Sequence, residues 1–246
     1  AGGLARPASA DAPAAAVISC GTVASGHVMA VVDPDTRQQL PPGAVGELWF
    51  KGASVAQGYL NQAEASAEVF NAFIAGDPQD GPYLRTGDLG FVLDEELYIT
   101  GRIKDVIIFA GRNLYPQDIE AAAQASHPAI RTNGVAAFSV TRDDAEQLVV
   151  VAEILRSAKL SGEDLENVED AIAAAITRSH GLAPHTVHLA PVSTIPLTTS
   201  GKVRRSACRD AFNAGALAYA KARPAPSAAV AGSETETDST TLFQQG

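Results

Sequence analysis

Apolar positions in the first hundred residues come in short runs bounded by turn formers. Residues 27–32 run into Asp33-Pro34-Asp35, residues 46–50 into Lys51-Gly52, and residues 97–100 into Gly101. Short alternating runs separated by Pro, Asp and Gly predict a small β-rich unit, barrel-like or sandwich-like, interrupted by one helix over 62–73. After Gly101 the texture changes. Residues 106–109 and 148–152 are β-branched and predict strands, while Pro116 stands where a helix can begin, with Asp118 and Glu120 in its first turn. Ser161 and Asp164 have the spacing of a capping box. Leu165, Val168, Ile172 and Ile176 then recur at helical period up to Gly181, a C-cap. The fold class is therefore α+β. A β-rich unit over 17–101 is followed by a small α+β unit over 102–221, without internal repeats. Residues 1–16 and 222–246 are rich in Ala, Pro and Ser and lack apolar periodicity, which reads as disordered linker or tail.

Composition narrows the function classes. The 246 residues are 46% apolar and 19% charged, enough to bury a core. Lys plus Arg total 18 against 28 Asp plus Glu, a net charge of −10, which argues against a cationic face for nucleic acid or anionic lipid. The acid is concentrated in residues 1–100, with 12 acidic and 4 basic groups. Cys20 and Cys208 form no disulfide framework, no apolar run reaches the ~20 residues of a membrane span, and the first residues lack signal-peptide order. These features set a cytoplasmic location as the expectation.

Several motifs fail on inspection. Ser200-Gly201-Lys202 ends like a P-loop, but position 196 is Pro where that loop needs Gly, and Val203 replaces the magnesium-binding hydroxyl. There is no Gly-x-Gly-x-x-Gly, no Gly-x-Ser-x-Gly elbow and no metal spacing among the histidines and cysteines, so no metal ligand is assigned. His127 and His180 read as helix-end residues, and both cysteines as ordinary small packers.

Three segments carry chemistry. Tyr83-Leu84-Arg85-Thr86-Gly87-Asp88-Leu89-Gly90 places an Asp between two glycines, in a tight turn, with its carboxylate free to accept from vicinal hydroxyls. Gly101-Arg102-Ile103-Lys104-Asp105 puts charged residues at the unit boundary, directly before a hydrophobic strand. Such a segment suits a hinge whose polar side chains stay wet. Residues 196–205 combine Pro, three hydroxyls and Gly201 with Lys202, a mobile loop ending in a long cation. From Gly201 to Asp210 there are four basic groups and one acidic. Such a lysine can meet a developing phosphate or carboxylate charge. Taken singly, each segment is also compatible with an ordinary turn, boundary or solvated basic loop.

In this order the three segments resemble the adenylate-forming superfamily of acyl-CoA synthetases, peptide-synthetase adenylation domains and luciferases. The wording of residues 101–120, with residues 46–59 and 206–209 in support, is most similar to the fatty acyl-AMP ligases. The resemblance covers residues 17–220. It implies ATP-dependent activation of a long-chain fatty acid as acyl-adenylate, in lipid or polyketide biosynthesis, for transfer to an acyl carrier protein. It further implies that Asp88 binds the ribose hydroxyls of ATP and Arg102 supports them, that Lys104 is the hinge, and that Lys202 is the adenylation lysine. Arg112 and Asn113 would fall in a loop facing the thiol acceptor. The family's upstream phosphate loop and its magnesium-binding Glu have no counterpart in these residues. The expected partners are therefore the fatty acid, a carrier protein or synthase carrier domain, and the remainder of a larger N-terminal domain that would hold Mg. This chain would then be the last portion of the enzyme, inactive alone, with a mobile α+β lid. Two alternatives stay open: part of an acyl-CoA ligase, or a non-catalytic module that docks a carrier domain.

Overall fold

The computed structural model describes residues 3–5, 17–109, 111–142 and 145–220. Four antiparallel strands form the first unit, β1 (His27–Val32), β2 (Gly46–Gly52), β3 (Leu84–Leu93) and β4 (Glu96–Arg102), paired in chain order. Asp94 and Glu95, both at positive φ, turn β3 directly into β4. The core of this unit gathers Ala30, Val32, Trp49, Ala72, Ile74 and Tyr83.

Helix α1 (Ala63–Phe70) lies between β2 and β3 and ends before the expected residue 73. Tertiary pairing ends it, because Ala72 exchanges both backbone hydrogen bonds with Tyr83, at 3.1 and 2.8 Å, and so leaves the helical path. A second correction concerns the linker expected over 1–16. Residues 3–5 run against 43–45, with Ala5 N–H donating to Gly43 and Val45 N–H donating to Gly3. The other residues of that linker, and the tail expected over 222–246, lie outside the described residues.

A 3-10 turn (Ile103–Asp105) leads from β4 into the second unit. A hairpin of β5 (Ile107–Phe109) and β6 (Arg112–Leu114) is followed by α2 (Pro116–Ser126), β7 (Ile130–Arg142), β8 (Ala145–Ile154), α3 (Gly162–His180), β9 (Thr186–Pro191) and α4 (Arg205–Asn213). Strand β8 is central, antiparallel to β7 and parallel to β9, and α3 makes the long connection that a parallel pair requires. Both faces of this sheet are covered, so β8 reads as a continuous apolar run. Leu148, Val150 and Ala152 pack under α2 and α3 with Ile119, Val168, Ile172 and Ile176, whereas Val149 and Val151 face Phe138, Ile195 and Cys208 on the α4 side.

The local signals behave as their chemistry dictates. Ser161 and Asp164 form the reciprocal capping box, Gly181 closes α3 at φ 66°, and Pro116 opens α2. His127 and His180 sit at helix ends. Cys208 is fully buried, and burial pushes its thiol up to about 12, but Cys20 is exposed rather than packed. No helix among the described residues is long and apolar enough to cross a membrane.

Candidate functional site

Strand β3 carries Asp88 on a bulge, where a tight turn was expected. Glu47 opposes Leu89 and Trp49 opposes Arg85, so residues 86–88 span the length that Leu48 alone spans on β2. Gly87 makes this possible, because its φ of 71° is strained for any residue with a Cβ. Beneath the bulge lies Glu47, an acid with 1% exposure. It accepts from Arg85 Nε at 3.0 Å, from an Arg85 terminal nitrogen at 2.9 Å and from Gly87 N–H at 3.2 Å. Thr86 completes the brace: its hydroxyl donates to the Leu48 carbonyl at 2.7 Å and accepts from Asp88 N–H at 3.1 Å. A buried carboxylate holding a guanidinium and a main-chain amide fixes the bulge and aims Asp88 outward.

Asp88 faces Arg102 across the β3/β4 pair, and Arg102 Nε donates to its carboxylate at 2.8 Å. The Arg102 side chain is 68% exposed and that of Asp88 28%, so this pair contributes little to stability and stays accessible to a polar ligand. Two residues further on, Lys104 is exposed on the 3-10 turn, and Ile107 then enters the second core at 1% exposure. Polar residues thus stay in solvent up to Lys104, and the chain becomes buried three residues later.

The loop bearing Lys202 is a hydrogen-bonded hairpin, more ordered than its composition predicts. Leu197 pairs with Val203, Thr198 N–H donates to the Lys202 carbonyl at 2.8 Å, and Lys202 N–H donates to the Thr198 hydroxyl at 2.9 Å. The Lys202 side chain makes no ion pair among the described residues and is exposed. It lines a cleft of about 770 Å³ together with Arg102, Gln117 and Thr198. A second cleft of about 670 Å³, also reached by Arg102, is lined by Tyr59, Thr86, Gly87, Lys104 and Phe138. Arg102 is common to both, so the hinge segment stands between the bulge and the lysine hairpin. Lys202 and Asp88 form no ion pair with each other.

Arg112 and Asn113 lie elsewhere, on the β5/β6 hairpin. Arg112 donates to the His180 carbonyl at 3.1 Å, and neither residue lines the two clefts. The excess of basic charge expected over 201–210 is also smaller than counted, because Arg205 is tied to Glu120 and Asp105. Sequence reasoning did not single out Glu47, Glu153 or Arg205, and it read Glu120 only as an acid at the start of a helix. The available signal was an isolated acid inside an apolar strand: Glu47 within 46–50, and Glu153 within 148–154, where it has no exposure at all.

Comparison with known proteins adds the following. A family model described as AMP-binding enzyme matches residues 2–60, and one described as Disco-interacting protein 2-like, AMP domain, matches residues 104–222. The chain is 45% identical over 207 residues to JamA of Moorena producens, a medium-chain-fatty-acid–[acyl-carrier-protein] ligase; the match covers 84% of this chain and 35% of JamA. It is 44% identical over 189 residues to FadD21 of Mycobacterium tuberculosis, a putative fatty-acid–CoA ligase, covering 74% of this chain and 32% of FadD21. A solved fatty acyl-adenylate ligase, from work on the E. coli and L. pneumophila enzymes, superposes with a TM-score of 0.69 at 30% identity, covering 85% of this chain and 35% of that one. The chain therefore spans about a third of the length of the curated relatives it matches.

Proposed function

Because the chain belongs to the adenylate-forming fatty acyl ligase family, we propose that it supplies the ribose-binding bulge, the hinge and the lysine-bearing lid of an enzyme that activates a long-chain fatty acid with ATP and passes the acyl group to a carrier protein. The observation that carries this reading is that Arg102, paired with Asp88, shares a cleft with Lys202.

In the proposed reaction a carboxylate oxygen attacks the α-phosphorus of ATP. A new P–O bond forms, the bond to the β-phosphate oxygen breaks, and pyrophosphate leaves. Two anions must approach, so the barrier is electrostatic, and a positioned ammonium offsets the charge that builds on the α-phosphate oxygens. Lys202 takes that role, standing at the end of a hairpin firm enough to aim it. The Asp88 carboxylate accepts from the ribose diol, and Arg102, already donating to that carboxylate, keeps it oriented. Turning about Lys104 would withdraw the lysine after the first step and admit the acceptor thiol. Among the described residues no three His, Cys, Asp or Glu side chains gather as a metal set. No step through magnesium is assigned to this chain.

The test uses the chain alone and joined to the further residues of its own protein. The chain alone is expected to show no fatty-acid-dependent ATP–pyrophosphate exchange, and clear exchange by purified material would refute the partial-site reading. In the joined protein, a carrier protein is expected to accept the acyl group in preference to CoA. FadD21 carries the name of a CoA ligase, and faster transfer to CoA would move the assignment to that branch.

A further inference from the structure

The lysine hairpin is anchored at both ends by buried or half-buried carboxylates. At its start, Glu153, with no exposure, accepts from Ile195 N–H at 2.8 Å and from Arg131 at 2.7 Å. At its end, Arg205 opens α4 only three residues after Lys202. Its guanidinium donates to both Glu120 oxygens at 2.7 Å, and its remaining terminal nitrogen donates to Asp105 at 3.1 Å. Glu120 is itself fixed by Ala137 N–H, at 3.0 Å, in the sheet. Asp105 is the first residue after Lys104. A single guanidinium thus joins the segment just beyond the hinge, helix α2 and the base of the lysine hairpin. The two carboxylates hold its charge firmly, raising its affinity for the proton further.

We propose that Arg205 is a positioning residue, acting through Lys202 and Lys104: it makes everything from Asp105 onward one rigid piece with the lysine hairpin, so that rotation is confined to residues 102–104 and delivers Lys202 to a fixed place. This rests on the hinge and lysine roles proposed above. Without the clamp, the chain between Lys104 and buried Ile107 becomes a longer flexible joint, and the hairpin loses the anchor nearest its cation. The bidentate geometry is what matters, since Lys at 205 keeps the charge but can neither span both Glu120 oxygens nor reach Asp105 at the same time.

Two measurements on this chain test the clamp. Amide exchange of Lys202 is expected to rise about tenfold in Arg205→Lys, equivalent to about 1.4 kcal/mol of local opening, while amides of Val150 and Ile172 in the core keep their rates. For the hinge side, spin labels are placed on exposed Cys20 and on Asn167→Cys in α3. Buried Cys208, its thiol held up to about 12, stays unlabelled. Asp105→Ala is expected to broaden the label-to-label distance distribution, while the control Arg178→Lys leaves it unchanged. Unchanged Lys202 exchange, or exchange that rises equally in the core, would overturn the clamp; so would an unbroadened distribution in Asp105→Ala. Lys104→Pro reports on the hinge separately. It should narrow the distribution without altering Lys202 exchange, and no narrowing would remove the hinge while the Arg205→Lys exchange result still judged the clamp.

Discussion

At the residue scale, two kinds of charge must be kept apart: those that hold the site and those left for a ligand. Glu47 belongs to the first kind, buried and holding both the Arg85 guanidinium and the Gly87 amide. Replacing it with Ala strands Arg85 in a half-buried place and removes the bond to Gly87. Glu47→Ala is expected to cost about 3 kcal/mol in denaturant unfolding, and a loss under 1 kcal/mol would mean the brace is decorative. Lys202 belongs to the second kind, exposed and without an ion pair among the described residues. In the joined protein, Lys202→Ala is expected to lower kcat for adenylate formation by about 10²–10³ with little change in ATP binding, because its charge meets a partner that develops only in the transition state. Equal losses in binding and rate would contradict that role. The ligand-facing residues were legible because exposed chemistry between turn formers stands out in a sequence. The holding residues were not, since an acid in a strand looks like a solvent-facing position until both faces of the strand are known to be covered.

At the element scale, helix ends were the most readable features, because a cap is decided by four or five consecutive residues. The capping box at Ser161 and Asp164 is one such case, with Ser161 N–H donating to the Asp164 carboxylate at 2.8 Å and Asp164 N–H returning to the Ser161 hydroxyl at 3.2 Å. Ser161→Ala should cost about 1 kcal/mol of stability, measured by denaturant titration. The same bonds hold the Asp164 carboxyl below its ordinary range, the Ser161 amide being the first cause. A depressed folded-state value means that its contribution is fully present above the unfolded value of 3.8 and is lost as pH falls through the lower folded one. Asp164→Asn should therefore be less stable than the parent at pH 7, with the gap closing in acid; a gap independent of pH would exclude the ionised cap. What local pattern could not show is where pairing between distant segments wins. Residues 71–73 leave the helix because Ala72 meets Tyr83, and Asp88 sits on a bulge because β2 and β3 differ in length opposite Leu48. Both outcomes depend on a partner segment outside the local window, Tyr83 for Ala72 and β2 for Asp88.

At the scale of the whole molecule, the two units meet through a connection only a few residues long. Arg102 ends β4, Lys104 lies in the 3-10 turn, and Ile107 is already inside the second core. The backbone bonds that close the turn are donated by Val106, to the carbonyls of Arg102 and Ile103. Proline at 104 leaves both of these Val106 bonds with their donor. It does fix φ near ~−65° and restricts Ile103 before it, and these are the freedoms a rotation would use. If the lid must turn between two chemical steps, Lys104→Pro separates them. In the joined protein it should leave fatty-acid-dependent pyrophosphate exchange within about threefold of the parent, while transfer of the acyl group to the carrier thiol falls by about 10² or more, as expected when a gating motion and not chemistry is blocked. The adenylate would then accumulate, and a single-turnover experiment with labelled ATP should show it bound and undischarged. Loss of exchange with transfer from added acyl-adenylate intact would reverse the order of events, placing the turn before adenylation, and would take the hinge role away from Lys104 as assigned.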